Sequence, residues 1–484
     1  MQSMISNQGE QEDILRRDTL QNKKKVVVLG AGISGLTVAW RLHELGLQTD
    51  ICEAQDFVGG LAATVRPEEG DYCLDFGPHF FITQKQEIVE RITSLLDDDV
   101  VQFQRSAQLY VQGRFLDYPL SAKNVVLNFP PRDAIASVLT FVWAQMKQGT
   151  HRLLRINTHK HHFGEWAAAN FGMHLTKIFF RPYTEGFWKL TCEELSPEIL
   201  PTSTRLNFMK SLKMLIVRKI TGEASSLTER ELVLPLRYPI RGYGMIAEAI
   251  AERVIQMGGI IRNKTRVSQI DARDDGKYVV TAKRNGKTIK LTADFVVSTI
   301  PTPDLVRIMS PAAPEEVLDS AKKLGYLSLI VLYAVTRKQD LLDTSYVYYL
   351  GRPYHRLAEM DKFCDTLCPP GENMLAIEFS CHSGDLVGKM SAEELFELAL
   401  PHLESDRILS REEVTKLFIV RASHAYPIRY YDFRDHLDNV LNYLHSRPNI
   451  AMLGRTGEYK YIDSDQCMEQ AIALADKIAH TIQQ

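Results

Sequence analysis

Apolar residues fall in two rhythms along this chain. Val26 to Leu29 form a short unbroken apolar run, the pattern of a strand covered on both faces. Directly after it, Leu36, Ala39, Leu42 and Leu45 recur at helical spacing and stop at Gly46. Thr49 to Cys52 predict a second strand, so the front of the chain reads as a β-α-β unit with a crossover helix. Further on, residues 84–97 predict a helix with Ile88, Ile92 and Leu95 on one face. A short β stretch from Leu109 to Tyr118 ends at Pro119, and Pro130-Pro131 start a helix near Arg132 and Asp133. The block HHFGEWAAANFGMHLTKIFFRPYTEGFW is dense in aromatics and predicts a helical lobe, its rings read first as core and only second as a substrate cage.

The second half returns to an α/β pattern. Gly242 and Gly244 open a helix from Ile246 to Met257, which Gly258-Gly259 close. Val267–Ile270, Tyr278–Lys283 and Thr288–Leu291 predict a meander that turns at Asn285-Gly286, followed by a buried strand over 293–299 stopped by Pro301. Residues 326–336 and 374–380 predict a second sheet, and 394–404 a helix. The chain finishes in a short strand, a Gly-rich turn and a helix with Ala471, Leu474, Ala475 and Ile478 on its apolar face.

The first turn carries chemistry. It reads Gly30-Ala31-Gly32-Ile33-Ser34-Gly35, a G-x-G-x-x-G with a strand before it and a helix after it. Gly30 permits the sharp turn, Gly32 admits a pyrophosphate close to the backbone, and Gly35 lets the helix pack close to the sheet. The helix N-terminus presents free N–H groups and a partial positive charge to that pyrophosphate. Glu53, eighteen residues after Gly35, is placed to accept hydrogen bonds from a ribose. The alternative is a glycine turn in a nucleotide-free βαβ unit, which the completeness of the unit disfavours.

Composition sets the remaining bounds. At 484 residues the chain exceeds one simple core, and two or three lobes are expected. With 45% hydrophobic and 24% charged residues it reads as a soluble globular protein, and a net charge of −3 gives no reason to expect nucleic acid as a partner. No apolar run approaches a membrane span. The 205–220 region, NFMKSLKMLIVRKI, sets Met209, Leu212, Leu215 and Ile216 beside Lys210, Lys213 and Arg218; a core-facing helix is preferred there over peripheral membrane contact. Residues 1–23 lack an apolar h-region and read as a disordered leader, not a secretory signal. Seven scattered cysteines make no disulfide framework and fit a reducing cytoplasm. Cys364-x3-Cys368, near His355 and His382, is too loosely spaced for a zinc site, so no metal is expected.

From about residue 24 to 480 the chain resembles the FAD-dependent amine oxidase and protoporphyrinogen oxidase-like superfamily, in a branch that also resembles UDP-galactopyranose mutases. The residues that carry this are GAGISGLTVAWRLHELGLQTDICEAQDFVGGLAAT at 30–64, DFGPHFFIT at 75–83, FFRPYTEGFW at 179–188, YPIRGYGMIAEAI at 238–250 and LGRTGEYKYIDSDQC at 453–467. The resemblance implies an α/β fold: a Rossmann-like FAD domain, discontinuous in sequence, with a mixed sheet-plus-helices substrate domain and a helical insertion. The expected FAD domain is 24–104, 238–300 and 448–484; the substrate domain is 105–237 and 301–447, with the insert at 120–220. The cofactor implied is FAD. Gly30, Gly32, Ile33, Ser34 and Gly35 would hold its pyrophosphate and Glu53-Ala54 its ribose. Gly60 and Leu61 would pass the ribityl chain, and Val267 would meet the adenine through its backbone. Gly454 and Arg455 would approach the pyrophosphate or ribityl region, while Ser464, Asp465 and Gln466 would open the last helix beside the isoalloxazine. Two positions depart from many relatives: Leu61 stands where Arg or Lys is common, and Ser464 where Met is common.

For the chemistry, His79 in the GPHFF loop is the leading catalytic candidate, as proton relay or hydrogen-bond partner of flavin or substrate, against a packed histidine that only steadies the loop. Arg181, Tyr183, Arg237, Tyr238, Arg241, Tyr459 and Tyr461 are substrate-binding candidates: the arginines for an anionic group, the aromatics as walls. The expected activity is two-electron oxidation of a small metabolite at a C–N, C–C or C–O bond, with hydride passing to the flavin and electrons to oxygen or another acceptor. A redox-neutral reaction like that of UDP-galactopyranose mutase, on reduced flavin, is the second reading. It needs arginines for a nucleotide diphosphate, and after YTEGFW the chain offers only Arg205. A non-catalytic FAD-binding scaffold is the third.

Overall fold

In the computed structural model the described residues are 24–483, apart from 82, 84, 98, 104–105, 119–127, 154–161 and 200–235. The leader 1–23, the amphipathic 205–220 region, Arg205 and parts of the 120–220 insert lie outside them.

A five-stranded parallel sheet forms the base of the nucleotide half, in the order Ile450–Met452, Phe295–Ser298, Lys25–Leu29, Gln48–Cys52, Ile260–Arg262. Its strands come from three separated stretches of chain. The central strand shows why it is apolar throughout. Val26 and Val28 point into one core with Leu36, Ala39 and Ala471, while Val27 and Leu29 point into another with Ile270, Val280 and Leu305. Alternate side chains thus enter different cores, as the two-residue period of a strand requires. Helices Ile33–Glu44, Met245–Gln256 and Ser464–Gln483 share the first of these cores. The meander is a small sheet, ordered Lys287–Ala293, Tyr278–Arg284, Thr265–Ala272, Met309–Ser310.

The second half is built on a seven-stranded mixed sheet. Its order is Val414–Pro427, Tyr326–Thr336, Asn373–Cys381, Arg356–Glu359, Tyr346–Tyr349, Ala107–Val111, Arg114–Asp117. Tyr326–Thr336 is again two-faced. Leu329, Val331, Tyr333 and Val335 pack toward the nucleotide half, and Ile330, Leu332 and Ala334 meet helix Ala392–Ser405. That helix begins at a capping box between Ser391 and Glu394, which fixes its start. Beyond the predicted strands, the long strand Val414–Pro427 and the helix Phe433–His445 complete the second half. Helices Pro131–Leu153, Phe163–Phe171 and Arg181–Trp188 form the aromatic lobe, with Phe163, Phe171, Phe179, Phe180 and Trp188 in its core.

Close backbone contacts hold the first helix on its sheet. A Cβ at Gly35 would lie 2.1 Å from the Gly30 carbonyl oxygen, so only glycine lets helix and turn touch here. Gly35→Ala must push the helix off the turn. The expected loss is about 1–3 kcal/mol, the usual cost of overpacking, together with lower flavin content, read by chemical denaturation and absorbance. A variant with unchanged midpoint and full flavin content would contradict this packing.

Candidate active site

The nucleotide cradle assembles at the N-terminus of helix Ile33–Glu44. Gly30 turns with φ +97°, its N–H donating to the Cys52 carbonyl at 2.9 Å. Gly32 faces open space, since an added Cβ there would meet only the Gly59 carbonyl oxygen, at 3.8 Å. The Gly59 N–H donates to the Ala31 carbonyl at 2.8 Å, and Gly60, at φ +58°, rests on Gly32. The first N–H groups of the helix, at Ile33, Ser34 and Gly35, have no partner within the helix. Three glycines therefore surround a row of free donors, the arrangement a pyrophosphate requires.

Glu53 is half-buried beside this turn and accepts from the Ala31 N–H at 2.7 Å and the Gln55 N–H at 2.8 Å. A carboxylate retains lone pairs for a ribose after two such bonds. Ala54 is exposed next to it. The Thr265 N–H donates to the Glu53 carbonyl at 2.7 Å, which brings the strand of Val267 alongside. Leu61 lies in the single turn Gly60–Ala62 and packs partly on the main core. From the other end of the chain, Gly454, at φ +84°, presses on Ser34, where a Cβ would lie 2.4 Å from Oγ. Ser464, Asp465 and Gln466 open helix Ser464–Gln483. Burial pushes Asp465 up to about 6. The Gln466 side chain accepts from the Asp463 N–H at 3.2 Å.

His79 is four residues past a fully buried carboxylate, Asp75. Asp75 accepts from the Thr64 and Tyr238 hydroxyls, each at 2.5 Å, and from the Tyr243 N–H at 3.1 Å. Gly242 and Gly244 make this possible, because a Cβ on either would run into Thr64 at 2.5 or 2.4 Å. Burial pushes Asp75 up to about 6 against those hydrogen bonds. The Tyr243 ring stacks on His79 at 5.3 Å, and its hydroxyl meets Ser464 Oγ at 2.5 Å. His79 is thus clamped beside the start of the last helix. Its Nδ1 is buried and makes no hydrogen bond of ordinary geometry among the described residues. Burial first, then Arg455 and Arg356, pull its imidazole down to about 4. At neutral pH it is an uncharged ring, with the Gly77 backbone as a further partner.

The two arginines that act on His79 electrostatically, Arg455 and Arg356, sit among a cluster of tyrosines. Tyr118 and Tyr348 lie 5.2 Å apart, Tyr183 and Tyr348 6.1 Å, Tyr426 and Tyr461 5.4 Å. Burial, then Tyr348, Tyr118 and Tyr461, push the Tyr183 phenol well above its ordinary value, so it stays a neutral hydroxyl. Arg356 lies over Tyr346 and Tyr348 at 5.8 and 5.7 Å. Arg455 lies over Tyr426 and Tyr461 at 5.5 and 5.1 Å, and donates to the Ile462 carbonyl at 2.9 Å. Its carboxylate neighbour, Asp463 at 3.5 Å, is largely in solvent and screens it weakly. A π-helical turn at Thr176–Phe180 resets the phase of the chain before Arg181–Trp188, which carries Tyr183 and Phe187.

Arg356 is held from behind. Both its Nε and Nη2 donate to Glu378 Oε1, at 3.0 and 2.7 Å, while His355 Nε2 meets Glu378 Oε2 at 3.0 Å. Burial would raise the Glu378 carboxyl, but Arg356 and then His355 outweigh it and hold it at about 2. Glu378 also sits 3.3 Å from where a Cβ of Gly77 would be, so the network backs the His79 loop.

Of the sequence candidates, His79, Tyr183, Tyr461 and Arg455 come together. The others are placed elsewhere. Arg181 forms ion pairs with Glu185 and Glu193. Arg237 lines a small apolar cavity with Phe81, Ile92 and Ile246. Arg241 is exposed and meets Asp71 at 3.4 Å. Tyr238 is spent on Asp75, and the buried Tyr459 hydroxyl donates to the Gly325 and Ile428 carbonyls. Arg356, Tyr348, Tyr426, Glu378 and His355 are the site residues that sequence reasoning missed. Arg356, Tyr348, Tyr426 and Glu378 lie on strands and His355 directly precedes one; in sequence only Arg356 and Glu378 stand out, as charges beside apolar residues. Cys364 and Cys368 are buried and contact the Ile240 and Glu372 carbonyls.

Comparison with known proteins shows the family. Residues 33–438 match the family described as flavin containing amine oxidoreductase, and the chain belongs to that family. It is an FAD-dependent enzyme by family and fold. It is 22% identical over 470 residues to "Probable UDP-galactopyranose mutase" of Klebsiella pneumoniae, covering 95% of this chain and 96% of that protein. Its fold is similar to that of reduced UDP-galactopyranose mutase, with TM-score 0.76, 22% identity and coverage of 95% and 94%. Putrescine oxidase with bound putrescine shares the fold at TM-score 0.63 and 16% identity, covering 94% of this chain and 99% of that one.

Two outcomes follow. Glu378→Gln strands a buried guanidinium and is expected to cost about 3–5 kcal/mol, the cost of breaking a buried pair from one side; an unchanged denaturation midpoint would count against the network. Because burial, Arg455 and Arg356 pull the His79 imidazole down to about 4, below its ordinary 6.5, it stays unprotonated as pH falls through 6. The acid limb of the pH–rate profile should therefore lie well below 6 and change in His79→Asn; a limb near 6.5 that survives this substitution would remove His79 from the proton path.

Proposed function

We propose that the protein is an FAD-dependent oxidoreductase that oxidises a small metabolite by two electrons at a C–N, C–C or C–O bond, and that this metabolite carries an acidic group. The observation that carries the second half is the pair of guanidiniums, Arg356 and Arg455, over the tyrosine cage beside His79. No carboxylate of the cage is left to balance Arg455 among the described residues except the solvent-exposed Asp463. A protonated amine would be repelled there, whereas a carboxylate or phosphate would gain charge-assisted hydrogen bonds from arginine and from neutral tyrosine hydroxyls. Bound FAD supplies the two-electron chemistry as hydride acceptor. This chain's residues do the rest. The glycine turn holds the phosphate bridge, Tyr183 and Tyr461 wall and hydrogen-bond the substrate, and the neutral His79 imidazole takes the proton released with the hydride.

A second reading is favoured by the same arginines. They supply the cations for a nucleotide diphosphate that the sequence around YTEGFW lacked, which supports a redox-neutral reaction like that of UDP-galactopyranose mutase. One experiment separates the two. Oxidised protein mixed anaerobically with acidic metabolites should lose its flavin absorbance with the true substrate. Dithionite-reduced protein should leave UDP-galactopyranose unchanged. Interconversion of the UDP-sugar without net flavin oxidation would overturn the oxidation and establish the second reading. In either case Arg455→Leu should raise KM at least tenfold with a smaller change in kcat.

A further inference from the structure

The helix Pro131–Leu153 is packed with its faces reversed. The side turned to the protein carries Ala134, Ser137 and Ala144, all buried. It also carries Gln145 and Gln148, whose side-chain amides donate to the Asn170 and Ala169 carbonyls at 3.1 and 2.7 Å. The side turned to solvent carries the large apolar residues: Ile135 (61% exposed), Val138 (46%), Leu139 (64%), Val142 (45%), Trp143 (68%) and Met146 (55%). Their spacing of three and four residues puts them in one stripe, ~17 Å long at the rise of an α-helix. Met173, 64% exposed, stands beside the helix, since the next residue's N–H donates to Thr140 Oγ1 at 3.3 Å. Scattered exposed apolar residues are ordinary; a continuous stripe opposite a small-residue, glutamine-bonded inner face is a binding surface.

Charge selects the occupant. Exposed Arg132 and Lys147 sit on the stripe's flank, and exposed Lys177 lies one turn beyond Met173. The only acid in the helix, Asp133, turns aside to His174 at 2.9 Å. An apolar face with an exposed tryptophan, a basic margin and no free acid suits the headgroup boundary of an anionic bilayer, in which a helix lies flat. We propose that this face docks the protein on an anionic phospholipid surface. No helix among the described residues is long and apolar enough to cross a membrane, so the contact would be peripheral.

The test uses the full, flavin-loaded chain and vesicles of phosphatidylcholine alone or mixed with phosphatidylglycerol. Wild type should pellet with the mixed vesicles, less so at high salt, and its tryptophan emission should shift to the blue. Trp143 is the tryptophan exposed to report this, Trp40 and Trp188 being buried and Trp166 half-buried. L139E/W143E should lose binding at least tenfold while keeping flavin and elution volume, and R132E/K147E should lose it selectively for the anionic vesicles. Leu386→Glu, at an exposed leucine outside this helix, should bind as wild type. Wild type that ignores both vesicle types would overturn the proposal, as would L139E/W143E that still pellets. A wild-type dimer split by L139E/W143E, with no vesicle capture, would overturn it in favour of a second copy of the chain.

Discussion

One buried carboxylate joins the parts of this molecule that must agree for the site to exist. Asp75 gathers Thr64 from the glycine-rich side, Tyr238 and the Tyr243 N–H from the turn before a core helix, and through its carbonyl the Tyr333 hydroxyl at 2.7 Å from the large sheet. A charge with no exposure is tolerable only when its oxygens are fully hydrogen-bonded. The donors it demands therefore fix three chain segments against each other. Tyr243 then passes the constraint on, with its ring against His79 and its hydroxyl on Ser464. His79, the start of the last helix and the glycine-rich turn are thereby set by a single polar knot.

The second constraint is electrostatic. Glu378 neutralises Arg356 and is itself shared with His355, so one guanidinium is rigid and paired. Arg455 is held chiefly by backbone carbonyls and aromatic faces. The result is an aromatic cluster holding one tightly paired guanidinium and one paired only with the solvent-exposed Asp463. On the proposed function, that combination would discriminate by charge before shape.

The legible and illegible parts of the sequence divide by distance along the chain. The front unit could be read because Gly30, Gly32, Gly35 and Glu53 act within one local βαβ element, where spacing alone fixes geometry. Of the cage only Tyr183 and Tyr461 could be named, because Tyr118, Tyr183, Tyr348, Tyr426 and Tyr461 come from separate elements brought together by long-range packing. Arg356 reads as an ordinary strand residue until Arg356–Glu359 is seen paired with Asn373–Cys381, which sets it opposite Glu378. Arg181, Arg237 and Arg241 stood in the family-like segments but spend their charge or stems elsewhere. The helix Pro131–Leu153 was expected from Pro130-Pro131, yet which of its faces turns inward depends on partners that periodicity does not name.

A positively charged, tyrosine-walled cage facing the flavin is the feature on which the proposed chemistry rests. It is tested most directly by titrating the flavin-loaded protein with matched pairs of small molecules that differ only in bearing a carboxylate or an amine, and following the visible flavin spectrum. The acids should perturb the flavin bands saturably and the amines should not. Perturbation by the amines alone, or protein that takes up no flavin at all, would contradict it.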